Sequence, residues 1–318
     1  MKRRDRPHLR RWLTGAAATL TAFPTAQPLL AVQLPPAASN SEHFPVSLGQ
    51  YDFQHEGVLG TSLDLLVGAV RADDARVCEQ QVLAEIERLR RILSTYDLAS
   101  EISRVRAGGS VNSPELAALL SAYDLWEQRT GGAINVNMGE VIRLWKQARH
   151  LPPVASALAN ARVVPRAYNV DALGKGYIID RAVEVARRFA PTGLLNIGGD
   201  IRVWGDASWR IGVANPFEPA ENAPLLASVV LRDGAVATSG GYSRYVNIAG
   251  QRYSHIIDPR TLQPASQVSS ATVVAVDCLT ANALSTAASV LGLEEGAKLV
   301  KLFGKLEYLL VDSQGRIE

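Results

Sequence analysis

The most regular pattern of hydrophobic and polar positions lies between residues 169 and 205. Apolar side chains recur at helical spacing over residues 178–189, and most charged residues fall on the opposite face. A Pro-Thr-Gly stretch at 191–193 is typical of the end of a helix. Residues 194–197 then have the composition of a buried strand, and a Gly-Gly-Asp turn leads into a second strand at 201–204. The pattern predicts a helix followed by a strand pair.

A Gly174-Lys175-Gly176 segment precedes that helix and predicts a turn at its N-terminus. Free backbone N–H groups and the positive end of a helix dipole suit a phosphate, and Lys175 adds a charge beside them. The alternative is an ordinary turn before a helix that binds no ligand. The spacing fits neither the nucleotide P-loop nor the Rossmann fingerprint, so this segment alone identifies no function.

The periodicities of helices and of strands also predict the remaining secondary-structure elements. Helices are predicted at 72–94, 113–131, 141–150, 281–291 and 294–303. Ser113 is the expected N-cap of the second of these, with Pro114 at its first helical position, and Ser100 could cap a further short helix. Strands are predicted at 58–67, 209–213, 227–231, 235–238, 245–248, 252–257, 271–276 and 308–311.

The N-terminus has the pattern of an export signal. Six Lys and Arg residues precede a short, mildly apolar segment, and small residues before position 31 offer cleavage points. The apolar segment is too short to span a bilayer, so no stable membrane span is expected. Arg10-Arg11-Trp12-Leu13 resembles a twin-arginine signal, and an ordinary secretory signal is the alternative. The predicted organisation is a signal at 1–31, a linker rich in Pro, Ala and Ser at 32–50, and a globular unit at 51–318.

Removal of the leader changes the charge balance. Without the six basic residues and one aspartate of residues 1–26, the chain has 27 basic and 30 acidic residues, a net charge of −3. Nothing in this balance favours a nucleic-acid partner. Cys78 and Cys278 form neither a disulfide framework nor a metal signature, and two buried thiols are more typical than one bridge. About 280 residues with 47% hydrophobic composition can bury a large core.

Eight segments, taken in order, resemble the ApbE family of FAD:protein FMN transferases. They are VLGTSLDL at 58–65, LSTYDLASEISR at 93–104, GGAINVNMGEVIRLW at 131–145, ALGKGYIIDRA at 172–182, LNIGGDIRVWG at 195–205, AVATSGGYSRY at 235–245, YSHIIDPRT at 253–261 and ANALSTAASVLG at 281–292.

The resemblance implies an α+β fold, with a mixed α/β architecture in a single large globular unit. It also implies a protein that takes FAD as substrate and uses Mg²⁺ or another divalent cation. Such proteins move FMN from FAD onto a Thr or Ser hydroxyl of a redox partner and release AMP. The partner here would be an exported flavoprotein, and both proteins would be periplasmic. FAD hydrolysis to FMN and AMP, or flavin binding without catalysis, are the alternative functions.

The resemblance also implies site residues. His255 is similar to the base that accepts the hydroxyl proton. A strand histidine bonded to a neighbour is the alternative that the residue alone would favour. The FAD-contacting positions are Leu59, where the family places a Met, and Tyr96, Ala133, Ile134, Asn135, Asn169, Lys175 and Ile257. The metal positions are the backbone carbonyl of Ala172 and the side chains of Asn282 and Thr286.

Three positions depart from the family pattern, because Asn135, Asn169 and Asn282 stand where the family has Asp. Each substitution keeps a carbonyl oxygen but removes a charge, so the affinity for Mg²⁺ should fall. Asp171 lies beside Ala172, where the family usually has a small or amide residue, and we expect it to restore part of that charge. The chain is also short between Trp145 and Asn169, where the family often carries a further strand pair.

Overall fold

The structure is a computed structural model that describes residues 48–218, 223–241, 244–304 and 306–318. The predicted export signal at 1–31 lies outside the described residues, as does nearly all of the predicted linker. The first strand begins at Gly49, inside the range predicted as linker. No helix in the described ranges is long and apolar enough to cross a membrane.

The secondary structure combines strands and helices, as expected for an α+β protein. The strands are β1 (Gly49–Val58), β2 (Thr61–Ala69), β3 (Thr192–Ile197), β4 (Asp200–Trp204), β5 (Trp209–Val213), β6 (Ala227–Leu231), β7 (Gly234–Ser239), β8 (Tyr245–Ile248), β9 (Gln251–Ser254), β10 (Val268–Ala275) and β11 (Tyr308–Asp312). The helices are α1 (Ala72–Leu93), α2 (Glu101–Arg106), α3 (Pro114–Arg129), α4 (Gly139–Gln147), α5 (Ala155–Arg162), α6 (Asp171–Ala186), α7 (Cys278–Leu291) and α8 (Leu293–Lys301).

A seven-stranded sheet in the order β1-β2-β3-β4-β7-β10-β11 forms the centre of the fold. Every neighbouring pair in it is antiparallel. Side chains alternate between its two faces, so Leu63 and Leu65 join the main core with α1, α6 and α7, whereas Leu66 packs with Trp209 on the other face. The β5-β6 pair therefore contributes to the cluster on the face opposite the helices.

Helix α1 shows why the hydrophobic pattern predicted its element correctly. Its buried residues follow the spacing of one helical face, at Ala75, Cys78, Val82, Ile86, Leu89 and Leu93. Acidic residues occupy its first turn and basic residues its last turn, which complements the helix dipole. Ser100 and Ser113 also cap α2 and α3 as expected, each accepting a hydrogen bond from a backbone N–H three residues on.

The turn predicted at Gly174-Lys175-Gly176 is wrong, because α6 begins earlier and includes all three residues. The packing of α6 against α7 explains the second glycine. A Cβ atom at Gly176 would lie 2.6 Å from the carbonyl oxygen of Cys278, so only glycine permits this approach. The glycine marks a contact between two helices, not a loop at a helix N-terminus.

Several boundaries also differ from the predictions. Strand β1 was not predicted, and the expected strand at 58–67 contains the turn between β1 and β2. Helix α4 ends at Gln147 instead of residue 150, and α5 occupies part of the segment in which the family often has strands. Cys78 and Cys278 are both buried free thiols, so the prediction of two buried thiols is confirmed.

Candidate active site

A cavity of about 690 Å³ opens between the N-terminal half of α6, helix α7, and the loops beyond β3, β7 and β9. Its volume lies within the roughly 300–1,000 Å³ range of small-molecule sites. Twelve of the thirteen predicted site residues line this cavity: Tyr96, Ala133, Ile134, Asn135, Asn169, Asp171, Ala172, Lys175, His255, Ile257, Asn282 and Thr286. Most of the predicted site residues therefore lie together around one cavity.

Leu59 is the exception and does not line the cavity. It lies in the turn between β1 and β2 with φ of 51°, followed by Gly60 with φ of 79°. A turn with both central residues at positive φ matches the twist of an antiparallel pair. The half-buried Leu59 side chain packs against the main core. The structure thus gives Leu59 a place in the core and not in the cavity wall.

Asp180 fixes the position of α7 relative to α6. Its two carboxylate oxygens accept hydrogen bonds from the backbone N–H groups of Cys278 and Leu279, each at 2.8 Å. These are orphan donors of the first turn of α7. Burial raises the pKa of Asp180 to about 6, against the lowering effect of those two bonds. Together with the close approach at Gly176, this contact brings the start of α6 and the middle of α7 to one cavity.

His255 follows β9 and has a defined tautomer. Its Nδ1 atom lies 2.9 Å from the backbone carbonyl oxygen of Arg244. Because a carbonyl oxygen only accepts, Nδ1 carries the proton and Nε2 is the unprotonated nitrogen. Burial is the main cause of a lowered pKa for His255, and the positive charges of Arg244 and Lys146 lower it further, while the hydrogen bond to the Arg244 carbonyl and the charge of Asp171 oppose them. His255 is therefore neutral at pH 7 and has an acceptor nitrogen available.

Lys175 forms an ion pair with Asp200, with 2.6 Å between Nζ and the carboxylate oxygen. Lys175 lies on the first turns of α6, and Asp200 begins β4 directly after the Gly198-Gly199 turn. The Asp200 side chain is only 4% exposed, so this pair is well shielded from solvent. Asp200 thereby holds the ammonium group of Lys175 in the cavity wall.

A second polar cluster lies at the start of α6. The Asp171 carboxylate accepts a hydrogen bond from Asn169 Nδ2 at 3.0 Å and from the Tyr96 hydroxyl at 3.4 Å. Lys146 on α4 donates to the same hydroxyl at 3.1 Å, and its Nζ lies 5.4 Å from the centre of the Tyr96 ring. Three separate elements therefore meet at the largely exposed Tyr96.

Some amide and hydroxyl groups of the cavity have defined partners, and the Asn282 carboxamide differs from them. Asn135 Nδ2 donates to Glu127 at 2.6 Å, and Ser239 Oγ lies 3.1 Å from Thr286 Oγ1. The Asn282 side chain is buried on α7 and makes no hydrogen bond within the part of the chain that the structure describes. A buried carboxamide without a partner facing a cavity is suited to a bound ligand or ion.

The sequence did not mark Lys146, Asp200, Arg244 and Ser239 as site residues, although all four line the cavity. Asp200 and Arg244 lie inside motifs of the resemblance, so position within a motif was a usable signal for them. Lys146 follows the end of its motif directly, and only the contact with Tyr96 brings it to the site.

The donor set at the start of α6 and on α7 is made of oxygen atoms. It comprises the Asp171 carboxylate, the Ala172 carbonyl, the Asn282 carboxamide and the Thr286 hydroxyl. No group of three or more His, Cys, Asp or Glu residues arranged for a metal occurs in the described ranges. Oxygen donors with one carboxylate fit a hard cation such as Mg²⁺, at low affinity.

Comparison with known proteins agrees with this geometry. The model of the ApbE family matches residues 59–310. The FAD:protein FMN transferase of Haemophilus influenzae is 26% identical over 281 residues, covering 77% of this chain and 81% of that protein. The FAD:protein FMN transferase of Treponema pallidum is 28% identical over 308 residues, covering 82% and 84%. The crystal structure of the ApbE protein from Thermotoga maritima has a TM-score of 0.74 at 28% identity and covers 85% of this chain and 96% of that one.

Proposed function

The chain belongs to the ApbE family, and on that premise we propose that it is an FAD:protein FMN transferase. It transfers the FMN half of FAD to a hydroxyl group of an acceptor protein. The hydroxyl oxygen forms a new bond to the FMN phosphorus, the pyrophosphate P–O bond breaks, and AMP leaves with that electron pair. The observation that carries the proposal at this site is the neutral His255, whose Nδ1 is held by Arg244 and whose Nε2 accepts no hydrogen bond from any residue that the structure describes.

His255 takes the hydroxyl proton at Nε2 as the new P–O bond forms. A base is needed because the hydroxyl of Ser or Thr is a poor nucleophile while it keeps its proton. The carbonyl of Arg244 keeps the imidazole in the required tautomer and orientation. Lys175, held by Asp200, lines the same cavity and can donate hydrogen bonds to the phosphate oxygens.

We further propose that the site uses Mg²⁺ with FAD. The groups that would hold it are Ala172 through its carbonyl, Asn282, Thr286 and Asp171. A bound Mg²⁺ supplies positive charge that stabilises the phosphoryl oxygens during transfer. Because three of the four protein donors are neutral, the affinity in the absence of FAD is expected to be low.

Export of the protein is part of the same proposal. Residues 1–31 would direct it to the periplasm by the twin-arginine route, and the acceptor would be an exported flavoprotein with a Thr or Ser site. Fractionation of cells producing the full chain tests this, since retention of the processed protein in the cytoplasm would contradict it.

The function is tested by incubating the purified protein, without residues 1–31, with FAD and Mg²⁺ in the presence or absence of a peptide that carries an acceptor Thr. We expect AMP release together with a fluorescent flavin on the peptide. AMP released equally without the peptide and with no labelled product would indicate FAD hydrolysis. Bound FAD with no AMP under any condition would indicate a flavin-binding protein without catalysis.

The Asp171 carboxylate is predicted to provide the anionic part of the metal site. Replacing Asp171 with Ala should weaken Mg²⁺ binding about tenfold or more, because only neutral donors would remain. Isothermal titration of the apo protein and its FAD complex with Mg²⁺ measures this. Asp73→Ala on α1 removes an exposed carboxylate that does not line the cavity and serves as the control. Unchanged Mg²⁺ and FAD affinity in Asp171→Ala would show that Asp171 does not replace the missing charge.

The loss of transfer activity at acidic pH should have its midpoint below pH 6.5. The base works only when unprotonated, and the folded protein lowers the pKa of His255 from its ordinary value of 6.5. Activity should therefore persist as the pH falls past 6.5 and be lost only at the lower pKa. The dependence of kcat/KM on pH measures this in the free enzyme. A midpoint above pH 6.5 for this loss of activity would show that a different group, or an imidazole in another environment, is the base.

A further inference from the structure

The charged groups of the cavity are not balanced. Among the described residues that line it, the cations are Lys146, Lys175 and Arg244, and the carboxylates are Asp171 and Asp200. His255 adds no charge while it is neutral. Cations therefore outnumber carboxylates by one, and the free cavity has a net positive charge.

With the Lys175–Asp200 pair set aside, two cations, Lys146 and Arg244, and one carboxylate, Asp171, remain, so the excess positive charge comes from these two cations. Lys175 is neutralised by direct contact with Asp200. Neither Lys146 nor Arg244 forms a salt bridge to a carboxylate within the described ranges. The partner of Lys146 is the uncharged hydroxyl of Tyr96, which orients the ammonium group without cancelling its charge.

Both cations line the same cavity as His255. Arg244 holds the imidazole of His255 through its backbone carbonyl, and Lys146 is held in the cavity wall by the Tyr96 hydroxyl. If His255 takes the hydroxyl proton, the phosphorus that the hydroxyl attacks must lie beside it. The two cations are therefore near the place where the phosphate oxygens of FAD would be.

Three uncharged carboxamides line the same cavity, those of Asn135, Asn169 and Asn282. Carboxylates at these positions would reverse the sign of the net charge. A negative cavity could hold a diphosphate only with a cation between them, whereas a positive cavity attracts it directly. The diphosphate of FAD carries two negative charges.

We propose that Lys146 and Arg244 hold the diphosphate of FAD, so that this chain binds FAD without a divalent cation. The inference rests on the proposed function and extends it by naming the groups that bind the phosphates. Mg²⁺ then assists transfer and adds only modestly to FAD affinity. Since coupling between two ligands is reciprocal, the same modest factor is what FAD adds to the affinity for Mg²⁺.

The test is a titration of FAD by flavin fluorescence at mildly alkaline pH, without acceptor, in excess EDTA and in millimolar Mg²⁺. For the parent protein we expect dissociation constants that agree within about threefold in the two buffers. For Asn282→Asp we expect binding in EDTA about tenfold or more weaker than in Mg²⁺, because the new carboxylate repels the phosphates until a cation neutralises it.

A second comparison tests whether Lys146 is one of the residues that bind the phosphates. Lys146→Gln should weaken FAD binding in EDTA about tenfold, because one of the two unneutralised cations is lost. Lys298→Gln removes an exposed lysine of α8 that does not line the cavity, and it should bind FAD like the parent. Circular dichroism of each variant confirms that the fold is retained.

The outcomes separate this inference from the proposed function. Binding of FAD by the parent only when Mg²⁺ is present would overturn the inference and leave the proposed function intact. Binding in neither buffer would overturn both. Equal affinities of Lys146→Gln and the parent in EDTA would remove Lys146 from the phosphate site.

Discussion

Replacing His255 with Asn is expected to lower the rate of FMN transfer by about 10²- to 10⁴-fold, the usual contribution of a general base. The Asn carboxamide can still donate a hydrogen bond to the Arg244 carbonyl, which now accepts from Nδ1 at 2.9 Å. The variant therefore keeps the local hydrogen bond but has no nitrogen able to accept the hydroxyl proton. Initial rates of AMP release in the presence of the acceptor peptide measure the effect.

FAD affinity is the second readout for this variant and should change by no more than about threefold, because the imidazole is neutral and adds no charge toward the phosphates. His150→Asn makes the same substitution at an exposed position that does not line the cavity, and it should transfer FMN at the parental rate. A His255→Asn variant that transfers FMN as fast as the parent would show that another group or solvent removes the proton. A large loss of FAD affinity would show that His255 acts mainly in substrate binding.

The elements that the sequence predicts well are those in which local pattern and tertiary packing agree. Helix α1 was predicted within one residue of its observed end, because its apolar face is also the face that is buried in the main core. Helix α3 begins at the predicted Pro114 after the Ser113 cap. In both cases the signals lie within the segment itself, so no distant residue is needed to interpret them.

The segment at Gly174-Lys175-Gly176 shows why other features could not be predicted from the sequence. Glycine usually signals a turn, but Gly176 is required by the backbone of α7 about a hundred positions later in the chain. The contacts within the candidate site could not be predicted for the same reason. The motifs marked Lys175, but its partner Asp200 and the tyrosine contact of Lys146 depend on how distant elements pack.

The turn between β1 and β2 is a further example of local sequence overridden by geometry. Leu59 was expected at the flavin because of its place in a motif, yet the turn directs it to the core. A leucine with positive φ is uncommon, and the two nearby glycines, Gly57 and Gly60, do not by themselves show that Leu59 occupies the turn. A motif match thus locates a segment more dependably than it locates a side chain.

The close approach of α6 and α7 leads to the second prediction of large effect. Gly176→Ala should lower the free energy of unfolding by about 2 kcal/mol, within the range of overpacking substitutions. The new Cβ would lie 2.6 Å from the Cys278 carbonyl oxygen and 2.9 Å from the Leu279 Cα, and backbone atoms cannot turn aside as a side chain can. Urea unfolding measures this, as a lower midpoint with an unchanged slope.

The same substitution should also slow FMN transfer, because separating the helices moves Ala172 and Lys175 away from Asn282 and Thr286. A displacement of about 1 Å can cost about 10²-fold in rate. Gly174→Ala is the matched control on the same helix, since its Cβ would make ordinary contacts with two side chains, Val170 at 3.4 Å and Leu119 at 4.0 Å. There the helix propensity of alanine should dominate and raise stability by up to about 1 kcal/mol. If both variants were equally stable and equally active, the contact at Gly176 would not be what holds the two halves of the site together.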